Sequence, residues 1–448
     1  MAFFVWQENL YCDIIVNMFL ELLIKFNTEI IPLIYKILFM LAPILIPIIL
    51  IYIVVLLYVR SVQLKYIAKQ EPVLLEIKIP KDIQKSPLAM EIVLGAMQQG
   101  GAATYTEAYL EGKVIGWFSL ELVSIAGEVH FYIWACEKKF KALLEHQIYA
   151  QYPTVEIYEV PKDKDYAKQI PFDLSTYGIW GLQYKLTQKD VYPIKTYVDY
   201  NMDKDQKDEY RIDPMTAVLE FLGSVGKDQQ VWLQILIKRH SEEGIKEFKW
   251  KKKVDWKQAA EDEIKDIKKK ATPESKSDFP GFPNMTKGQT EKIAAIERSI
   301  GKMAFDTMIR GIYIAKGSSF NPINITGLIG SMRQYSSNEL NGLKISVWTD
   351  TDKDFPLYKD LVVLFPFLRK QREAFKARLT KRMFNAYKLR SHFYPPYQNY
   401  RQNSFILTTE EVATMYHFPG NVSATPTLSK IPSKKSEPPA NLPIKKAL

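Results

Sequence analysis

Residues 37–59, ILFMLAPILIPIILIYIVVLLYV, run for twenty-three positions without a charge. In a helix rising about 1.5 Å per residue this reaches about 34 Å, enough to cross a hydrocarbon core of roughly 30 Å. A helix buried in a soluble core would carry a polar stripe at the helical period, and this run has none. It is internal and longer than a signal-peptide core, and Arg60-Ser61-Val62 follows it without a small-residue cleavage pattern, so it reads as a retained single-pass transmembrane helix within residues 31–60. Pro43 and Pro47 free backbone carbonyls inside the span and predict a kink.

Charge sets the expected orientation. Glu8, Asp13, Glu21 and Glu29 precede the run against Lys25 and Lys36, whereas Arg60, Lys65, Lys69, Lys78 and Lys81 follow it, which places the C-terminal part in the cytoplasm of a cell-membrane protein. Cys12 and Cys136 then lie on opposite sides of the bilayer and cannot pair, as befits a cytosolic domain. Residues 1–30 interleave Phe3, Phe4, Trp6 and Leu10 with Glu8 and Asp13. That is too polar to span and fits an amphipathic segment lying on lipid or on a partner's helix.

Net charge is +10, and because residues 1–59 carry −2 the remainder carries +12, a balance that suits anionic lipid or nucleic acid as a neighbour. From Val73 the pattern alternates: strand 73–79, a helix opened by Ser86-Pro87 with Met90, Val93, Leu94 and Met97 inward, strands 114–125 and 129–135 joined at Ala126-Gly127-Glu128, helix 137–151 and strand 155–160. This β-α-β-β-α-β order predicts a ferredoxin-like domain over 72–161. A second α+β module is expected over 172–390, with strands at 174–186, 194–200, 230–238, 306–315 and 344–348, helices at 215–224 and 286–303, and a charged, exposed insertion at 239–283 without an apolar stripe. The fold class is thus α+β: an N-terminal transmembrane helix followed by ferredoxin-like α/β sandwich modules.

Motifs of catalysis are sparse. No G-x-x-x-x-G-K-[ST] loop occurs, and the nearest fragment, Ser299-Ile300-Gly301-Lys302-Met303, lacks the earlier glycine and the magnesium-binding hydroxyl. His130, His146, His240, His392 and His417 never fall at metal-ligand spacing, so neither an enzyme, a cofactor nor a metal is expected. The helix 366–390 is the most functional-looking element: Arg369, Arg372, Lys376, Arg378 and Arg382 are candidate phosphate or nucleic-acid contacts, with Lys370, Lys381, Lys388 and Arg390 adding to the charge. The plainer alternative is a solvated face over Phe367, Leu368, Phe375, Leu379, Met383 and Tyr387 packed inward. Aromatics beyond it, Phe393, Tyr394, Tyr397 and Tyr400, are placed to stack bases, although Pro395-Pro396 suggests an extended segment on the body.

Residues 391–448 form a C-terminal docking segment and tail. Within them FILTTEEVATMYHFPG, residues 405–420, resembles a segment of conjugative DNA-transfer, type IV secretion-type ATPases that carry a membrane-anchored N-terminal region. Thr425-Pro426, Lys434-Lys435 and residues 437–443, EPPANLP, resemble the linker leading into the ATPase domain of those proteins, and Asp213-Pro214 with residues 230–235, QVWLQI, resembles another of their segments. The chain ends at Leu448, where the resemblance would place the phosphate-binding loop and motor. The resemblance therefore implies a non-catalytic, membrane-anchored subunit of a type IV secretion-like or conjugation-like transfer machine that docks a separately encoded ATPase, with Glu411, Tyr416, His417 and Phe418 as candidate docking residues. Its partners are then the bilayer and that ATPase, with DNA and a second copy of the chain left open. Read from its residues alone, the segment is a short helix with a Thr408/Glu411 capping box. The alternative function is a membrane scaffold that binds anionic lipid or nucleic acid through the basic helix.

Overall fold

The computed structural model describes residues 25–80, 85–98, 103–204, 212–241, 255–271, 285–349, 365 and 368–420. The chain divides into two units, Met1–Val62 and Gln63–Leu448. In the first, a π-helical turn at Phe26–Ile30 leads into helix α1, Ile31–Lys69, which contains both Pro43 and Pro47 and continues into the second unit. Within Phe39–Lys69 an 18-residue window has a mean hydropathy of 3.0 and is not buried, so among the described residues one helix is long and apolar enough to cross a membrane. Most of the amphipathic segment expected over 1–30 lies outside the described residues.

Among the described residues the second unit is built on one nine-stranded sheet whose pairings are antiparallel. In chain order its elements are β1 (Val73–Lys78), α2 (Leu88–Ala96), β2 (Trp117–Ile125), β3 (Glu128–Ala135), α3 (Phe140–Gln151), β4 (Glu156–Glu159), α4 (Tyr166–Gln169), β5 (Tyr177–Leu186), α5 (Met215–Gly223), β6 (Gln229–Arg239), α6 (Trp256–Ala271), α7 (Lys287–Ile300), β7 (Ala304–Lys316), α8 (Ile323–Gly330), β8 (Leu343–Trp348), α9 (Leu368–Lys388), β9 (Phe405–Thr408) and α10 (Thr409–Met415). The strand order is β4-β1-β3-β2-β6-β7-β5-β8, with β9 pairing the start of β7. Strands from 72–161 and from 172–390 therefore meet in one sheet through the β2/β6 ladder, Trp117↔Lys238 to Ile125↔Gln230.

Both faces of that sheet are closed. Gly311 on β7 leaves room for Leu328 of α8, Ser124 donates to the Leu222 carbonyl of α5, and Tyr416 just after α10 donates to the Tyr132 carbonyl, so one face carries α5, α8 and α10. On the other, Gly181 of β5 lets Met383 of α9 approach, and Trp232 stacks with Phe384 and packs at a tilt against Tyr387. β2 is accordingly buried along nearly its whole length rather than on alternate residues. Each fully buried Leu, Ile or Phe contributes about 1.5 to 3 kcal/mol of transfer free energy, which makes two closed faces the main stabilising term.

Three expectations are corrected here. Residues 194–196 are irregular and 197–200 form a turn, so the expected strand is absent there. Of the insertion 239–283, only 239–241 and 255–271 are described, and there α6 does have an apolar stripe: Trp256, Ala260, Ile264 and Ile267 are buried, and Ala260, Ile264 and Ile267 pack with Ile293 and Ile296 of α7 in a second small core. A stripe this narrow, one residue per turn among lysines and acids, disappears in composition. Phe375 of α9 is exposed, whereas Leu379, Met383 and Tyr387 are buried as expected.

Candidate functional site

The sequence-predicted basic residues lie on α9, and the structure separates them. Arg369, Arg378 and Arg382 are exposed, Arg369 sharing an ion pair of 3.3 Å with Glu373, while Arg372 and Lys376 are half-buried and have partners in the fold. Arg390 belongs to a different environment. Helix α9 ends at Lys388, and Arg390 takes a left-handed backbone, φ 47°, which turns its side chain into the protein. There its guanidinium forms two bonds to Glu121 (Nε to Oε1 2.9 Å, Nη2 to Oε2 3.0 Å) and two to Asp165 (2.6 and 3.1 Å). The charge that resembled a phosphate contact is a core ion.

Those bonds belong to a polar row that crosses the covered face in register: Glu76, Tyr132, Glu121, Gln234, Arg310 and Gln183 occupy facing positions on β1, β3, β2, β6, β7 and β5. Glu121 accepts from Ser119, Gln234 and Tyr166 as well as Arg390, and Arg310 donates to Gln234 (2.6 Å) and to the carbonyls of Ala386 and Ser391. Burial pulls the Arg310 guanidinium down to about 9, and the bonds to carbonyls spread its charge. Buried groups of this kind hold a unique arrangement only when saturated. Gln183 departs from that rule, since neither of its side-chain polar atoms has a hydrogen-bond partner among the described residues.

The C-terminal segment forms the second cluster. Its capping box is present: Thr408 accepts from the Glu411 amide and Glu411 Oε2 accepts from the Thr408 amide at 2.7 Å. Glu411 Oε1 takes the Ile194 amide at 2.9 Å, Thr414 takes the Tyr197 amide and Thr196 donates to Glu410, which explains why 194–200 does not pair as a strand. Burial pushes the Glu411 carboxyl up to about 7, against three donors that favour its charged form. Beside it Lys302 reaches Glu91 at 2.6 Å, and Arg298 reaches Glu410 and Asp199 at 3.1 and 3.0 Å.

Glu411, Tyr416, His417 and Phe418 are each at most 4% exposed, so as direct partner-docking residues they are corrected: they anchor the segment inside its own chain. Tyr416 and Phe418 pack edge-on against Phe131. His417 donates from Nε2 to Asp213 Oδ2 across 3.2 Å, and its Nδ1 faces the Ala413 carbonyl at 2.9 Å. Burial alone would lower the imidazole pKa, but the Asp213 carboxylate and the backbone carbonyls hold it above its ordinary range. Asp213 meanwhile caps α5 through the Met215 amide at 2.8 Å.

Of the four aromatic residues proposed to stack bases, Phe393 and Tyr394 are spent internally, whereas Tyr397 and Tyr400 are half-buried and pack edge-on against each other. Phe393 is buried, and Tyr394 accepts from the Ile115 amide and packs against Trp117. Cys136 is buried with its thiol pushed up to about 12. Among the described residues no cluster of His, Cys, Asp or Glu could hold a metal ion.

The sequence model of one family, a domain of unknown function (DUF8128), matches residues 63–430, which takes in every strand of the sheet and both clusters. The chain belongs to the DUF8128 family. No curated protein matches it. The family match begins at Gln63, the first residue of the second structural unit, so the DUF8128 domain and the sheet unit start at the same place.

Proposed function

We propose that this protein is a membrane-anchored, non-catalytic subunit of a type IV secretion-like or conjugation-like transfer machine, which presents a rigid sheet domain to a separate ATPase. The observation that carries this reading is the Asp213/His417 pair. The two residues come from the two segments on which the resemblance to conjugative transfer ATPases rests, and they meet in a buried contact of 3.2 Å, with Asp213 capping the helix that precedes β6. Segments matched separately along the chain thus serve one structural purpose. In the same reading residues 72–161 are a ferredoxin-like unit, supported by the antiparallel order β4-β1-β3-β2 with α2 and α3 as the connections. The basic residues that follow the apolar helix support a cytoplasmic position for the sheet domain. The ATPase is then met by surface outside the four buried docking candidates.

The test is cross-linking in native membranes followed by detergent extraction of the full chain. A nucleotide-binding protein and secretion components should be recovered with it. Recovery of neither would reject the reading.

A further inference from the structure

Where α9 ends, its last turn faces the loop after β4 across a cleft of about 230 Å³, whose lining includes Trp134, Arg390, Lys138, Lys162, Lys168 and Lys388. At about 30 Å³ per water molecule, this volume holds seven or eight waters, room for one tetrahedral anion and the start of an ester chain. Of the three acids that line it, Asp165 is held by Arg390 and Glu159 by Lys141 at 2.6 Å and Lys138 at 3.7 Å, while Glu71 lies exposed at the rim, so the lining carries two more basic groups than acidic ones. The amines of Lys168 and Lys388 instead donate to carbonyls, of Lys162 at 3.4 Å and Ile170 at 2.9 Å, and among the described residues no carboxylate comes within ion-pair distance of either. Each keeps donors for a further acceptor, since an ammonium has three.

We infer that this cleft binds a phosphate group, gripped by Lys168 and Lys388 with Lys138 and Lys162 at the rim. Lys168 and Lys388, neither of which has a carboxylate at ion-pair distance among the described residues, repel one another, and a phosphate lying between them removes that cost while forming charge-assisted hydrogen bonds. Consistent with that, burial and the nearby Lys168 charge hold the Lys388 amine below its usual range despite the opposing pull of Asp165. A planar apolar side chain in that lining, Trp134, suits the organic part of a phosphate ester. The phosphate can come from a soluble ester or from a lipid headgroup, because Glu71 and Pro72 on the rim follow the end of α1 by only a few residues. The site is separate from the exposed arginines of α9 and does not depend on the proposed role in transfer.

The experiment uses the full chain in detergent and in nanodiscs, with lysine acylation read by mass spectrometry. Inorganic phosphate, compared with chloride at equal ionic strength, should slow acylation of Lys168 and Lys388 several-fold and leave Lys287, whose side chain is 91% exposed, unchanged. Protection by inorganic phosphate assigns a soluble ligand, whereas protection only in phosphatidic acid nanodiscs, and not in phosphatidylcholine, assigns a headgroup. Lysines unprotected in both would overturn the inference. Calorimetric titration of the Lys168→Gln and Lys388→Gln variants should show affinity weakened by roughly tenfold per amine. Affinity unchanged in variants with wild-type thermal midpoints would also overturn it, and if a variant does not fold the wild-type footprint decides.

Discussion

Arg390 and Glu121, 269 positions apart, meet through two hydrogen bonds that make the end of a surface helix part of the sheet's interior. The side chains are 3% and 0% exposed, so the pair is held in a medium where an uncompensated charge is costly. α9 is thereby fixed at its C-terminal end, while Leu379, Met383, Phe384 and Tyr387 pack its inner face.

Replacement of Arg390 should therefore behave unlike replacement of its neighbours. Arg390→Met leaves Glu121 and Asp165 buried without their cation and should cost about 3 to 5 kcal/mol, whereas Arg382→Gln on the exposed face should stay within about 0.5 kcal/mol. Urea unfolding of the full chain in detergent measures both; equal losses would mean that the two arginines share one environment.

Much of the sheet is legible in sequence because the strands carry their own signal. VLLEIK and QVWLQILIK are dense in β-branched and large apolar residues, and Ala126-Gly127 marks the hairpin that joins β2 to β3. The polar row is not legible. Ser119 and Glu121 alternate with Leu120 and Leu122, the pattern of a sheet with one wet face, and nothing local reports that α9 covers that face 250 residues later. Arg390 is hidden for a similar reason: only the end of α9 and the left-handed turn two residues on distinguish it from the solvent-facing arginines. The signal that was available is Trp232, Phe384 and Tyr387, too many aromatics for an exposed face.

The hairpin offers a local test. Ala126 and Gly127 both have positive φ, 52° and 87°, as a two-residue type I′ turn requires, and a Cβ at Gly127 would lie 2.8 Å from the Val225 carbonyl oxygen. Ala126→Gly should raise stability by about 1 kcal/mol by removing a left-handed alanine. Gly127→Ala should lower it by about 1 to 3 kcal/mol. Denaturant midpoints at unchanged m-value check both signs.

The Asp213/His417 pair makes the C-terminal segment sensitive to pH. Its imidazole pKa is raised in the fold, so the pair's contribution is fully present below the unfolded value of about 6.5 and is lost as pH rises through the folded value. Glu411, whose folded pKa of about 7 exceeds its unfolded value, adds a loss in the same direction between about 4.5 and 7. The stability difference between wild type and His417→Asn should shrink from about pH 6 to about pH 8.5. A difference constant across that range would show that His417 stays neutral.

His392 has the opposite sign. Both ring nitrogens are buried without hydrogen-bond partners among the described residues, and burial beside Arg310 and Lys238 pulls its pKa down to about 3, so unfolding takes up a proton and stability is lost as pH falls below about 6.5. His392→Leu should remove about 2 kcal/mol of this acid sensitivity at about pH 5 and be neutral or stabilising at about pH 8, since no hydrogen bond is broken. Thermal midpoints at the two pH values decide it.

The outer face of α9 presents exposed arginines of the kind that would meet a polyanion. Arg369, Arg378 and Arg382 are exposed on a helix whose other side is locked to the sheet, so neutralising them leaves the packing of Leu379, Met383 and Tyr387 intact. If they meet phosphates, the protein should bind duplex DNA with little sequence preference, and Arg369→Gln, Arg378→Gln and Arg382→Gln should each flatten the slope of log affinity against log salt by about 0.9. Fluorescence anisotropy with the full chain between about 50 and 200 mM salt measures the slope. Wild-type binding that is absent at low salt, or a slope unchanged in the triple variant, would return these arginines to the solvated surface of a helix whose purpose is to close the sheet.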